Sequence, residues 1–250
     1  MRKKPSYWKS LIVCLLLIIA CSLPLQEKVQ GPRNFREAKQ LAKQIHRDHR
    51  LTFYCGCHYD KHNKVDLHSC GYKIQQSQQR AQRLEWEHIV PVSLWGRELP
   101  CWTDKVCYKK RGGYYNGRAC CRDVNQHFSK MEADLHNIVP EIGELNGIRS
   151  NYRFQILSHM PVGQFGLCEV KVDPRERKFE PRPLSRGIIA RAYLYMADTY
   201  NIRLSDSQRK LFWAWNREFP PDDWEIQWDK KVAEVQGNFN AYIAEYQNKR

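Results

Sequence analysis

The segment RLEWEHIVPVSLWG, residues 83–96, places carboxylates, a histidine and tryptophans within a short, otherwise apolar stretch. Two sets of side chains alternate along it, as in a β-strand: Leu84, Trp86, His88 and Val90 form one set, and Glu85, Glu87 and Ile89 form the other. Pro91 lacks an N–H group and therefore ends the ladder. Because neighbouring strand residues point to opposite faces, Glu87 and His88 can share a pocket only through a bend or a strand end near Pro91.

A second strand and a helix are predicted downstream. The short apolar run LHNIVP, residues 135–140, can pair with the first strand, and EIGELNGIRSNY, residues 141–152, has helical spacing. One side of that helix carries Ile142, Leu145, Ile148 and Tyr152, whereas Asn146, Arg149 and Ser150 lie together elsewhere. In such a unit, a histidine on the first strand can face a cation bound by Asn146 on the helix.

The length and the basic composition indicate which classes of protein and partner to expect. The 250 residues suffice for one large domain or two small ones, and 41 Lys and Arg against 27 Asp and Glu give a formal net charge of +14. This excess favours a polyanionic partner such as nucleic acid or a membrane surface, with an ordinary basic soluble protein as the alternative. The chain has no glycine-rich phosphate loop, nucleophile elbow or HExxH motif.

Residues 1–22 are typical of an export signal. Four basic residues and no acidic ones occur before position 22, and the apolar run LIVCLLLIIA, residues 11–20, is short for a membrane span. Ala20-Cys21-Ser22 suits ordinary signal cleavage, but residues 18–21 also resemble a lipobox in which Cys21 would be acylated. An uncleaved anchor is a third alternative. Without repeats or an obvious linker, residues 23–250 are predicted to form a single domain.

Cysteine usage agrees with export. Eight cysteines follow Cys21: Cys55, Cys57, Cys70, Cys101, Cys107, Cys120, Cys121 and Cys168. An even number in an exported chain favours disulfides, whose pairing the sequence leaves open. A zinc site is the alternative, but one residue separates Cys55 from Cys57 and none separates Cys120 from Cys121, which is poor zinc-ligand spacing.

The remaining segments are predicted as follows. Residues 33–50 form an amphipathic helix, residues 54–72 a small hairpin, residues 101–123 a long loop tethered by four cysteines, and residues 173–186 a surface loop. Helices follow over 185–201, 207–219 and 223–235, with a capping box from Ser205 and Gln208. Four tryptophans are interpreted as core residues rather than base-stacking ones: Trp213, Trp215, Trp224 and Trp228.

Strongly polar residues at apolar-looking positions suggest a reaction. They are Glu87, His88, Glu132, Asp134, His136, Asn137, Glu144 and Asn146. Phosphodiester hydrolysis needs a base that deprotonates water near neutral pH, for which imidazole is best matched. It also needs positive charge near the phosphate, which a divalent cation can supply. Mg²⁺ typically binds a few oxygen ligands from the protein and fills the rest of its coordination shell with water. One carboxylate and one amide oxygen meet that description.

EWEHIVP, MEADLHNIVPEIGELNGIRSN and FYCGC with the later SCGY resemble bacterial endonuclease I. These periplasmic or secreted nucleases have a ββα-metal (His-Me finger) core, so the resemblance implies an α+β fold with surrounding helices. It further implies that His88 is the general base and that Glu87 and Asn146 ligate the metal. Supporting or substrate-binding roles would fall to Arg80, Glu132, His136 and Asn137. Arg118 is the best match for a phosphate-holding arginine, with Arg111 as a rival.

The resemblance implies an exported, Mg²⁺-dependent, largely sequence-nonspecific endonuclease acting on DNA and RNA and leaving 5′-phosphates. Mn²⁺ or Ca²⁺ would replace Mg²⁺ in binding. We expect a monomer in the periplasm or outside the cell, with no stable protein partner and with membrane contact only through a lipid on Cys21. Two other classes stay open: a non-catalytic, disulfide-rich basic protein that binds nucleic acid in the envelope, and a zinc hydrolase.

Overall fold

The computed structural model describes residues 31–247, so the predicted export signal at 1–22 lies outside the described residues. The α-helices are α1 Phe35–Ile45, α2 Gln78–Ala81, α3 Ser93–Gly96, α4 Pro100–Thr103, α5 Gly117–Val124, α6 Gln126–Glu132, α7 Gly143–Arg149, α8 Pro183–Tyr200, α9 Asp206–Glu218, α10 Asp223–Gln236 and α11 Ala241–Gln247. Short 3₁₀ turns occupy His46–Asp48, Leu67–Cys70 and Leu135–Asn137. The strands are β1 Leu84–His88, β2 Cys107–Tyr108, β3 Tyr114–Tyr115, β4 Ile138–Ile142, β5 Arg153–Phe154, β6 Lys171–Asp173 and β7 Lys178–Glu180.

A two-stranded antiparallel sheet followed by a helix forms the centre of this α+β fold. β1 pairs with β4 so that Leu84 lies opposite Ile142 and His88 opposite Ile138. α7 continues directly from β4, which confirms the predicted order of strand, strand and helix. Gly143 is required where they join, because a Cβ there would lie 2.8 Å from the backbone oxygens of both Arg80 and Arg83. This close approach fixes α7 against the turn that leads into β1.

The C-terminal helices are confirmed where the sequence predicts them. α8 is buried along much of its length, and the capping box of Ser205 and Gln208 starts α9. Trp215 and Trp228 are core residues, whereas Trp224 is partly exposed and stacks on His49 with ring centroids 4.0 Å apart. The prediction that Trp213 is a core residue is wrong, because its side chain is 37% exposed. Trp213 lies outside the buried face of α9, which carries Phe212 and Trp215.

All eight predicted cysteines are joined in disulfides. The pairs are Cys55–Cys168, Cys57–Cys70, Cys101–Cys121 and Cys107–Cys120. No thiolate is left among these eight residues to bind zinc, so the zinc alternative loses its cysteine ligands. Within residues 31–247, no helix has both the length and the apolar character needed to cross a membrane.

Two segments predicted as loops contain regular structure. Residues 101–123 include the β2–β3 hairpin and most of α5, whose buried Cys120 and Cys121 are tied to β2 and α4. Residues 173–186 include the end of β6, all of β7 and the start of α8, and β7 is the central strand of a three-stranded sheet with β5 and β6. In both segments tertiary contacts outweigh the local glycine, proline and charge content that favoured loops.

Candidate active site

β1 presents its side chains to two different layers. Glu85 and Glu87 face α7, where they contact Asn146 and Arg149, one helical turn apart. His88 faces α1, α5 and α6 instead. Glu87 and His88 therefore point to opposite faces of β1 at its final two residues, as adjacent strand residues do.

His88 is a buried histidine held by the end of α6. Its Nε2 lies 2.8 Å from the backbone oxygen of Glu132, one of the carbonyls that a helix C-terminus leaves unpaired. Since a carbonyl only accepts, Nε2 carries the proton and Nδ1 keeps its lone pair. Burial and the Arg118 guanidinium lower the pKa of His88 to about 3, so the ring is neutral at pH 7. Phe35 covers the ring at 4.6 Å between centroids.

Two arginines share one buried carboxylate beside this ring. Arg118 donates through Nε to Glu132, and Arg122 donates to both carboxylate oxygens at 2.5 and 2.7 Å. Burial raises the pKa of Glu132, but these hydrogen bonds and charges outweigh it and the pKa is lowered. Arg118 also donates from a terminal nitrogen to His88 Nδ1 at 3.4 Å, and 39% of its side chain is exposed. The cluster thus carries excess positive charge next to a neutral base.

The structure separates the two arginines considered for a phosphate. Arg118 lies on α5 in contact with His88 and Glu132. Arg111 is an exposed residue in the turn between β2 and β3. The geometry therefore favours Arg118.

Glu87 is the buried carboxylate on the opposite face of β1. Its Oε1 accepts from Arg149 at 2.6 Å and from the Tyr54 hydroxyl at 3.4 Å. Burial raises its pKa against the opposing effect of Arg149. Arg149 is fully buried and also donates to the backbone oxygens of His88 at 2.9 Å and Ile89 at 2.5 Å. The helical spacing predicts that Arg149 lies beside Asn146, but the sequence indicates no role for Arg149. In the structure, Arg149 fixes the end of β1.

Asn146 and Arg80 meet at Glu85. Asn146 donates from Nδ2 to Glu85 Oε2 at 3.0 Å, and Arg80 donates to both oxygens of the same carboxylate at 3.2 and 3.0 Å. The Arg80 guanidinium lies close against Gly147, next to Asn146, where a Cβ would displace it. Arg80 is partly exposed and lies beside the α7 residues of the site.

The oxygen donors fit a hydrated divalent cation. Within residues 31–247, the side chains that donate to Glu87 do so at Oε1, and Asn146 donates from Nδ2. The same residues contain no group of three or more His, Cys, Asp or Glu side chains arranged to hold an ion. A cation held here would have one carboxylate and one amide as protein ligands and would keep several waters, as Mg²⁺ prefers.

The other predicted residues occupy the surroundings. Asn137 accepts from the Val90 N–H at 2.7 Å and donates to its carbonyl at 3.1 Å, which ties the end of β1 to the chain before β4. Glu144 accepts from three successive N–H groups ahead of α2. His136 packs against Tyr195 of α8, with Nε2 3.0 Å from the Asn238 carbonyl, and so contacts the C-terminal helices rather than the His88 ring.

Known proteins with similar sequences cover nearly the whole chain. The sequence model of the family described as Endonuclease I matches residues 34–246. The chain belongs to the endonuclease I family. It is 41% identical over 236 residues to a periplasmic deoxyribonuclease of Aeromonas hydrophila, covering 93% of each chain. An extracellular deoxyribonuclease of the same organism is 42% identical over 226 residues, covering 89% of this chain and 92% of the relative. Endonuclease-1 of Buchnera aphidicola is 38% identical over 241 residues, covering 94% of each.

Proposed function

We propose that this protein is an exported endonuclease that hydrolyses phosphodiester bonds in DNA, and in RNA by the same chemistry. The observation that carries the proposal is the neutral His88, with its Nδ1 lone pair beside the partly exposed Arg118, in a member of the endonuclease I family. Relatives named as periplasmic and extracellular deoxyribonucleases support both the substrate and the export.

In the proposed reaction, His88 acts as the general base. Arg118 turns from Nδ1 to the phosphate, and Nδ1 then takes a proton from a water molecule. The water oxygen bonds to phosphorus, and the bond from phosphorus to the 3′ oxygen breaks. The 3′ oxygen then takes a proton from solvent, which leaves a 5′-phosphate on the other product. The hydrogen bond from Nε2 to Glu132 keeps the ring in the tautomer that this step requires.

Arg118 and Arg122 supply the positive charge on the His88 side of the strand. A charge-assisted hydrogen bond from Arg118 to a non-bridging phosphate oxygen strengthens as negative charge builds up during attack. The Glu132 carboxylate holds both guanidinium groups but neutralises only one of their two charges. Contacts of this kind bind the phosphate backbone and not the base edges, which supports cleavage with little sequence preference.

Glu87 and Asn146 would hold a divalent cation, for which we propose Mg²⁺. When bound, it supplies positive charge that offsets the charge on the phosphate and on the leaving oxygen. Arg149 donates to one Glu87 oxygen and thereby fixes the orientation of the carboxylate. Glu85 orients Asn146 in the same way, through Nδ2.

Nicking of supercoiled plasmid by the purified protein tests the proposal. The protein should convert the plasmid to open-circular and linear forms, EDTA should abolish this, and added Mg²⁺ should restore it. His88→Ala should bind plasmid and leave it intact. Salt-sensitive binding without any nicking by the unaltered protein would favour the non-catalytic binding protein instead.

A further inference from the structure

A basic pocket of about 450 Å³ opens at the C-terminal end of α1, away from His88. Its cationic lining residues are Lys43, Arg47, Arg50 and Lys61. One acidic residue, Asp60, also lines it, but that carboxylate already accepts from the N–H groups of His62 at 2.9 Å and Lys64 at 2.8 Å. The pocket therefore combines a strong positive charge with little acidic compensation.

Three of these cations are available to a ligand. Arg47 contacts Asp48 at 3.4 Å in an exposed pair. Among residues 31–247, Lys43, Arg50 and Lys61 form no salt bridge. They come from α1, the chain that follows it and the turn before Asn63, so three separate segments converge on one opening. Convergent cations without acidic partners are suited to a polyanion.

The wall of the same pocket contains a buried polar side chain without a partner. His46 is 3% exposed and lines the pocket, and neither ring nitrogen makes a hydrogen bond. Packing against Trp86, Trp224 and Trp228 keeps the ring neutral, so one of its nitrogens carries an unsatisfied N–H. Both ring nitrogens are closed off from solvent, so His46 forms part of the pocket wall and does not contribute to the binding of a ligand.

α1 links the pocket to the candidate active site. At its first residue Phe35 packs on His88, and Lys39 Nζ lies 5.1 Å from the centre of the Phe35 ring. From Phe35 to Lys43 a helix rises about 12 Å. One DNA strand advances about 3.4 Å per nucleotide along the duplex axis. For a DNA strand that runs along α1, this rise corresponds to roughly four nucleotides.

We propose that this pocket is a second phosphate-binding site, in which Lys43, Arg50 and Lys61 hold the backbone of the nucleic acid several nucleotides from the scissile bond. The proposal rests on the proposed function, because it takes the same substrate to both sites. It assigns the pocket a role in affinity for long substrates and none in the chemical step. Short substrates that reach only His88 gain nothing from it.

The test compares two triple variants on substrates of two lengths. Lys43→Gln/Arg50→Gln/Lys61→Gln removes the pocket cations, and Arg203→Gln/Lys210→Gln/Arg217→Gln removes three exposed cations of the C-terminal half as the matched control. For a duplex of about 30 base pairs, the pocket variant should raise KM roughly tenfold and reduce the slope of log affinity against log salt by about 3, with kcat unchanged. Cleavage of an oligonucleotide of about four nucleotides should not change.

Two results would overturn the pocket proposal: equal losses in the control variant, or an unchanged salt slope in the pocket variant. Duplex binding is also measured in EDTA, where no cleavage is expected. If the unaltered protein cuts no substrate, the proposed function fails, while the binding comparison still decides whether the pocket holds phosphates. The two proposals therefore fail separately.

Discussion

The backbone oxygen of Glu132 accepts a hydrogen bond from His88 Nε2 at 2.8 Å, while the carboxylate of the same residue binds Arg118 and Arg122. One residue therefore sets both the tautomer of the proposed base and the position of the two arginines proposed to bind phosphate. This places Glu132 among the positioning residues of the site.

Glu132→Gln separates these two roles. The backbone hydrogen bond to His88 remains, but the amide can no longer hold two guanidinium groups. We expect kcat to fall roughly 10- to 100-fold because Arg118 is no longer fixed. Steady-state cleavage of a labelled duplex measures this, with the exposed Glu218→Gln as control. An unchanged kcat would show that Glu132 does not position Arg118.

Arg149 should contribute strongly to stability. It is fully buried and binds Glu87 and two backbone oxygens at the end of β1. Arg149→Met leaves the buried Glu87 carboxylate unpaired and should lower the free energy of unfolding by about 3–5 kcal/mol. Urea unfolding followed by circular dichroism gives the value, with the exposed Arg153→Met as control. A loss no larger than that of the control would contradict this role.

The pH dependence of cleavage should reflect the low pKa of His88. Since burial and Arg118 lower this pKa to about 3, the base form persists well below the ordinary histidine value of 6.5. We expect the kcat/KM contribution of this base to decline only as the pH falls towards about 3, because kcat/KM reports groups of the free enzyme. Removing the charge in Arg118→Gln should raise the pKa and move this decline to higher pH. A decline near pH 6.5 in the unaltered protein would contradict the assigned environment.

Removal of metal and of its amide ligand should have linked effects. Asn146→Ala removes Oδ1 but leaves the Glu87–Arg149 pair intact, so it is a cleaner change than a substitution of Glu87. We expect the Mg²⁺ concentration for half-maximal nicking to rise at least about tenfold, with partial recovery at saturating Mg²⁺. Titration of an EDTA-treated sample measures this. The same half-maximal concentration in both proteins would exclude Asn146 as a ligand.

The central unit of the fold could be predicted because its pattern is local. The alternation through Glu85, Trp86 and Glu87 predicts β1, and the i, i+3 spacing of Asn146 and Arg149 places them on one side of α7. By contrast, α5 begins at Gly117, and disulfides to α4 and β2 stabilise it. Local propensity carries no information about such links, which is why the sequence predicts a loop here.

The sequence predicts which residues belong to the candidate site better than it predicts the contacts between them. The sequence names His88, Glu132 and Arg118, but it does not reveal that the Glu132 backbone holds His88 or that its carboxylate holds Arg118. The partner of Glu87 was also missed, since the contact with Arg149 joins residues 62 positions apart. Apart from the resemblance, no sequence signal separates His136, which packs against the C-terminal helices, from a histidine at the reacting phosphate.

Single-turnover cleavage by His88→Ala tests the central claim most directly. Enzyme in excess over a labelled duplex, with saturating Mg²⁺, gives the rate of bond cleavage, and duplex binding in EDTA gives the affinity. We predict a cleavage rate at least about 100-fold lower than that of the unaltered protein, with affinity unchanged, because only the base is lost. A His88→Ala variant that cleaves at the unaltered rate would contradict the assignment of His88 as the base.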